Sequence, residues 1–156
     1  MMREELWKNL PDQSAGKACQ MFSNIFYYQI LNLVGEPDVV QPYLDAVVKA
    51  FEHRNVIQYN ANEFCEAIRN AIIQNRCEAF KSKLRGADLL VVTDDGMGKS
   101  ALNSPSVQLQ IKTTSLERKL LGKQTLLVTS QPVELYGELR ELWFQCVTVN
   151  VKEMSE

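Results

Sequence analysis

The run Leu89-Leu90-Val91-Val92 constrains the fold of this chain more than any other feature. Four consecutive apolar residues predict a strand covered on both faces, because a strand with one face in water would alternate apolar and polar residues. Strands of this kind are typical of parallel sheets that carry helices on both sides. The run therefore favours an α/β domain over an all-α or all-β fold.

Helical and strand patterns alternate along the rest of the chain. Further strands are predicted at residues 25–31, 56–59, 125–129 and 146–151, and helices at 39–51, 60–72, 78–84, 105–121 and 132–142. This order predicts a three-layer α/β domain with a mainly parallel, five-stranded sheet flanked by helices. Apolar and polar residues alternate in the last strand, which indicates a place near the sheet edge. We expect one domain over residues 1–156, with a helical lead-in at 1–23 and the α/β core at 24–152.

Single residues mark the ends of the predicted helices. Asn60 and Glu63 fit a capping box, Pro105 fits a first helical position, and Gly122 fits the residue after a helix end. The side chains expected to face the core include Tyr27, Tyr28, Phe64, Ile68, Ala71, Ile72, Val107, Ile111, Leu116, Leu120 and Leu121.

The charge of the chain argues against nucleic acid as a direct ligand. The net charge is −2 and the isoelectric point is about 5.5, whereas nucleic-acid-binding domains usually present a basic face. We therefore expect no direct sequence-specific DNA binding. The sequence contains no apolar run long enough for a membrane span and no signal peptide pattern, so the expected location is the cytoplasm.

Cysteine and histidine usage predicts neither a metal site nor a hydrolytic triad. The four cysteines are scattered without a Cys-x-x-Cys pair, and His53 is the only histidine. This pattern is typical of reduced cysteines and not of a zinc or disulfide framework. A single histidine in a predicted helix end also leaves serine and cysteine nucleophiles without a base.

The segment after Val92 contains a Gly-Lys-Ser triplet at Gly98-Lys99-Ser100. A phosphate loop would need glycine where Thr93 stands, and Asp94-Asp95 would direct negative charge at the phosphates. The helix that should follow the lysine is interrupted before Pro105. The triplet is therefore only an alternative phosphate contact, and the two aspartates fit better as the acidic end of a Walker B strand.

Four signatures follow one another along the chain, namely Gly16-Lys17-Ala18 before Phe22-Ser23-Asn24-Ile25-Phe26, Tyr59-Asn60-Ala61-Asn62-Glu63-Phe64 with Glu78-Ala79-Phe80-Lys81, Ala87-Asp88-Leu89-Leu90-Val91-Val92 with Asp94-Asp95, and Gly122-Lys123-Gln124 before Leu126-Leu127-Val128-Thr129-Ser130. In order and spacing they resemble the AAA+ core of the bacterial replication initiator DnaA family and, more distantly, DnaC-type helicase loaders. The resemblance covers roughly residues 16–152. It implies a P-loop NTPase fold with Walker B-like Asp94 and Asp95 and sensor I-like Thr129, Ser130 and Gln131.

The same resemblance places the Walker A loop between Tyr28 and Asp38, where the chain departs from the motif. Only Gly35 matches. Glu36 stands for the lysine that would pair with the β- and γ-phosphates, and Pro37 replaces the hydroxyl that would meet Mg²⁺ and removes a backbone N–H. The implied Walker A position is therefore degenerate.

These departures predict an interaction module that needs no nucleotide cofactor and is not an enzyme. We expect it to act in DNA replication by contacting a protein partner, such as a replication initiator or helicase, or by self-association. The family's helical lid and DNA-binding domain have no counterpart in these residues. The alternative is an AAA+ protein or ATPase that still binds ATP with Mg²⁺, through Gly98-Lys99-Ser100 or a rearranged upstream loop.

Overall fold

A computed structural model describes residues 5–94 and 101–153, and at Ile25 the backbone alone. The strands are β1 (Ile30–Val34), β2 (Val56–Asn60), β3 (Leu89–Thr93), β4 (Gln124–Thr129) and β5 (Val147–Asn150). The α-helices are α1 (Glu5–Lys8), α2 (Gln13–Gln20), α3 (Pro37–Ala50), α4 (Ala61–Ile73), α5 (Cys77–Gly86) and α6 (Pro105–Leu120). A π-helical turn follows α2 at Met21–Ile25, and 3₁₀ helices lie at Ala101–Asn103, Val133–Leu135 and Gly137–Phe144.

The five strands form one sheet in the order β2-β3-β4-β1-β5, and every neighbouring pair is parallel. Strand β1 lies inside the sheet, with Leu31 opposite Leu126 of β4 and Val147 of β5. All five residues of β1 are buried. The predicted five-stranded parallel α/β fold is therefore confirmed, as is the edge position of β5.

The direction of each crossover decides which face of the sheet its helices cover. The chain runs from β1 past β4 and β3 to β2 through α3, and then steps back through α4, α5 and α6. Because right-handed crossovers in opposite directions lie on opposite faces, α3 packs beside α1 and α2 on one face. One apolar cluster accordingly joins Tyr43 to Leu31, and a second joins Phe64 and Ile111 to Ile30.

The predicted helix ends are confirmed. The Asn60 side chain accepts a hydrogen bond from the Glu63 N–H, and the Glu63 carboxylate accepts one from the Asn60 N–H, both at 2.8 Å. Pro105 is the first residue of α6. Gly122 follows α6 in the left-handed region at φ 73°, which glycine adopts without strain.

The first strand lies later in the chain than predicted. Residues 25–31 carry aromatic side chains that favour strands, but the π-helical turn reaches Phe26, which has φ 53°, and β1 begins only at Ile30. Tyr27 is 72% exposed, so its prediction as a core residue is wrong. Tyr28 lies before the strand, and its hydroxyl donates a hydrogen bond to the Ala18 carbonyl oxygen. This bond holds the segment before β1 against α2.

Two helical faces also differ from the prediction. Ile72 of α4 is 62% exposed, and Leu120 and Leu121 at the end of α6 are 89% and 55% exposed. In α6 the predicted core residues Val107 and Ile111 are buried, and the pattern failed only in the last turn, where the fully buried residue is Arg118. Residues 132–142 form two 3₁₀ helices in place of one α-helix, and Gly137 at φ 30° begins the second.

The Arg118 guanidinium of α6 connects this helix with the end of α5 and with β4. It donates to the carbonyl oxygens of Leu84, Ala87 (2.8 Å) and Gln124 (2.6 Å) and to the Thr125 hydroxyl (3.0 Å). Burial lowers its pKa to about 10, which still leaves the group charged at neutral pH. A buried charge is tolerated here because four of its five N–H donors have acceptors.

Candidate functional site

The connection between β1 and α3 is only two residues long. Strand β1 ends at Val34 and α3 begins at Pro37, so Gly35 and Glu36 alone lie between them. The expected Walker A interval from residue 29 to 37 is therefore wrong over 30–34, which form the buried strand. The bulky side chains of that interval belong to the core and do not line a loop.

Gly35 is held tightly between neighbouring segments. Its N–H donates to the Thr129 carbonyl at 3.1 Å. A Cβ atom at this position would lie 3.1 Å from Val40 Cγ1 and 3.3 Å from the Val151 carbonyl oxygen, closer than favourable van der Waals contact. Packing alone thus accounts for the one glycine that matches the Walker A motif.

The N-terminus of α3 presents acidic groups. Glu36 is the N-cap residue, and its carbonyl oxygen accepts hydrogen bonds from the N–H groups of Val39 and Val40, both at 3.0 Å. Pro37 at the first helical position contributes no N–H. The side chains of Glu36 and Asp38 place negative charge at the positive end of the helix dipole, where an anion would otherwise bind.

A cavity of about 130 Å³ lies at the carboxyl ends of β1, β3 and β4. It is lined by Gly35, Pro37, Val40, Gln41, Leu44, Gln58, Thr93, Asp94, Val128, Thr129 and Ser130. Pockets for small ligands and cofactors usually measure about 300–1,000 Å³. The cavity is smaller than that range, and the charged side chain among its lining residues is Asp94.

Asp94 lies beside Ser130 and Tyr136 at this edge of the sheet. Its Oδ2 accepts hydrogen bonds from the Ser130 hydroxyl at 3.0 Å and from the Tyr136 hydroxyl at 3.2 Å. Burial, together with the Asp94 charge, raises the pKa of Tyr136, which keeps that hydroxyl a donor. The side chains of Asp94 and Ser130 therefore meet at this edge, and the Tyr136 hydroxyl contacts the same carboxylate oxygen.

Thr129 and Gln131 take part in a hydrogen-bond network that joins β4 to β1. The buried Thr129 hydroxyl accepts from the Asn32 amide at 2.9 Å and donates to the Gln131 carbonyl. The side-chain oxygen of Asn32, Oδ1, accepts a hydrogen bond from the Val133 N–H at 3.1 Å. This network fixes the exit of β4 against β1, so Ser130 is the member of the predicted trio whose side chain reaches Asp94.

The remaining predicted positions, Asp95 and Gly98-Lys99-Ser100, lie outside the described residues. Within residues 5–94 and 101–153, no three His, Cys, Asp or Glu side chains are grouped closely enough to hold a metal ion. A membrane-crossing helix is likewise absent from these two segments.

Sequence reasoning missed Asn32 and Tyr136. Asn32 interrupts an otherwise apolar run, and a polar residue in a buried strand is the signal that could have identified it. Tyr136 lies between two short helical segments and has no pattern that links it to Asp94.

A parallel five-stranded sheet between two helical layers, with a cleft at the carboxyl ends of its strands, defines the class as a doubly wound α/β fold. No protein-family model and no curated protein matches the sequence. Solved structures do match. DnaA bound to AMPPCP and single-stranded DNA superposes with a TM-score of 0.78, at 14% identity over 98% of this chain and 50% of that chain.

Two further structures give the same result. AMPPCP-bound DnaA from Aquifex aeolicus has a TM-score of 0.75 at 14% identity, over 91% of this chain and 46% of its own. The DnaC helicase loader has a TM-score of 0.69 at 16% identity, and the match covers 93% of this chain and 92% of the loader chain. The chain therefore has the AAA+ core fold of DnaA and DnaC-type loaders, and it spans about half the length of the DnaA chains.

Proposed function

We propose that this chain is a nucleotide-independent interaction module of the cytoplasm that acts in DNA replication through contacts with another protein. The replication-related part rests on the fold shared with initiator and loader structures. The nucleotide-independent part rests on the site itself.

The single observation that carries the proposal is the two-residue connection between β1 and α3. A phosphate loop needs several residues whose backbone N–H groups surround the phosphates, together with a lysine and a hydroxyl. Gly35 and Glu36 are too few to form such a loop, and Gly35 is already packed against Val40 and Val151.

The charges around the cleft support the same proposal. Glu36, Asp38 and Asp94 carry carboxylates at or near the position where phosphates would bind. Phosphoryl transfer depends on positive charge and positioning around the γ-phosphate. Glu36 and Asp38 are exposed at the start of α3, and Asp94 lines the cavity. Repulsion between these carboxylates and phosphate groups would oppose nucleotide binding.

Affinity purification from the native host tests the proposal. The tagged chain and its Asp94→Asn variant would each be recovered with Mg-ATP and after nucleotide removal. We expect the same replication proteins in all four samples. Recovery that depends on ATP, or enrichment of an unrelated complex in place of replication proteins, would contradict the proposal.

A further inference from the structure

A second cavity lies on the opposite side of the domain from α3. It is a groove of about 360 Å³ between α4, α5 and α6. Its apolar lining comes mainly from Phe64, Ile68, Ile72, Phe80, Leu84 and Leu109. None of these residues belongs to the cleft at β1 and α3, so the groove is a separate feature of the domain.

The rim of the groove exposes apolar side chains to solvent. Ile72 is 62% exposed and Leu109 is 44% exposed. Another cavity of about 340 Å³ adjoins the groove, and the two share Ala71 and Phe80. Hydrophobic grooves are a recurring docking site for amphipathic helices.

The edge of the groove carries positive charge in a chain whose net charge is −2. Residues 76–85 contain four basic side chains and one acidic side chain. Lys81 and Glu117 line the groove, where Glu117 pairs with Arg85 at 3.8 Å, and Arg76 and Lys83 line the adjoining cavity. Lys81, Arg76 and Lys83 are exposed, and no ion pair within the described segments involves them. An apolar groove with a basic edge is complementary to an apolar stripe with an acidic edge.

We propose that this groove binds an amphipathic helix of a partner protein, with apolar residues at i, i+3 or i+4, and i+7 and with acidic residues along one flank. The apolar stripe would cover Ile72, Phe80 and Leu109, and the acidic flank would face Lys81. The inference rests on the proposed function, because it names the surface and the partner chemistry of the interaction module.

The lining favours a helix over single-stranded nucleic acid. Base stacking needs an exposed aromatic face beside basic residues. In the groove, Phe64 is 1% exposed, and the half-buried Phe80 ring lies against Tyr59, with centroids 6.5 Å apart. The contact area is mainly aliphatic, which suits leucine-type side chains.

Fluorescence anisotropy with the full chain tests the inference. The probe is a labelled helical peptide of about four turns, with leucine at the stripe positions and glutamate along one flank. A second peptide carries lysine in place of the glutamates. The key variant is Ile72→Glu, and its matched control is Ile73→Glu, since Ile73 is its neighbour in α4, is 74% exposed and does not line the groove. Lys81→Glu is compared in the same way with Lys8→Glu on the remote helix α1.

We expect the acidic peptide to bind at least about tenfold more tightly than the basic peptide, with weaker binding as salt rises. Ile72→Glu and Lys81→Glu should each weaken it by about tenfold or more, while Ile73→Glu and Lys8→Glu leave it unchanged. Equal binding of the two peptides, or equal loss in variants and controls, would overturn the inference. Oligo(dT) binding that is lost in Lys81→Glu, without peptide binding, would also overturn it. The titration contains no nucleotide, so its failure is distinct from a failure of the nucleotide-independent proposal.

Discussion

Replacement of the buried Arg118 by leucine is expected to destabilise the domain strongly. The guanidinium donates to three buried carbonyl oxygens and to the Thr125 hydroxyl. Each buried acceptor left without a partner costs about 1–3 kcal/mol. The leucine side chain recovers part of this free energy by burying apolar surface, so we expect the free energy of unfolding to fall by about 3–5 kcal/mol. That is a large share of a typical stability of about 5–15 kcal/mol.

Urea unfolding followed by far-UV circular dichroism measures this loss. The control is Arg85→Leu, because Arg85 belongs to the neighbouring helix α5, is 38% exposed in its side chain and pairs with Glu117 at 3.8 Å. We expect the control to change the unfolding free energy by less than about 1 kcal/mol. If Arg118→Leu does not fold, Thr125→Val removes one of the four acceptors and should cost about 1–2 kcal/mol. A loss below about 1 kcal/mol for Arg118→Leu would refute the assigned network.

Three further changes test other parts of the fold by the same urea assay. Gly137→Ala should lower the free energy of unfolding by about 1–3 kcal/mol, because φ is 30° and the new Cβ would lie 2.8 Å from Gln108 Oε1. The control is Gly86→Ala, whose Cβ would meet nothing within 4 Å, and it should leave the stability unchanged or raise it. Asn32→Leu should cost about 1–3 kcal/mol by leaving buried partners unpaired; a neutral result would contradict the network. A backbone N–H and a lysine lower the pKa of Asp88, so the stability advantage of the wild type over Asp88→Asn should be present above about pH 4 and vanish as pH falls through the lowered pKa. An advantage that persists at about pH 2 would contradict this sign.

The fold was predictable because its central strands carry strong local signals. The run at Leu89 is apolar throughout, and the capping box at Asn60 and the glycine at 122 act within one turn of chain. The first strand was misplaced because aromatic residues favour strands in general, while here their packing around a π-helical turn decides their conformation. The buried face of α6 was predicted correctly at Val107 and Ile111. It was not predicted at Arg118, because the burial of this residue depends on acceptors in α5 and β4 that the helical pattern does not show.

The candidate site was predictable in position and less so in detail. Asp94 and Ser130 belong to recognisable segments that meet because neighbouring parallel strands end at the same edge of the sheet. The two-residue connection after Val34 depends on where β1 ends, and strand ends are poorly marked by propensity alone. Tyr136 reaches Asp94 from a 3₁₀ segment, a contact that only the three-dimensional arrangement specifies.

Titration calorimetry with Mg-ATP tests most directly whether this AAA+ core works without nucleotide. We expect no saturable heat for the wild type, and none for Lys99→Ala or Asp94→Asn, because we infer that the two-residue β1–α3 connection is too short for a phosphate loop. Micromolar binding that Lys99→Ala abolishes would contradict the account and would support the alternative of an ATP-binding protein that uses Gly98-Lys99-Ser100.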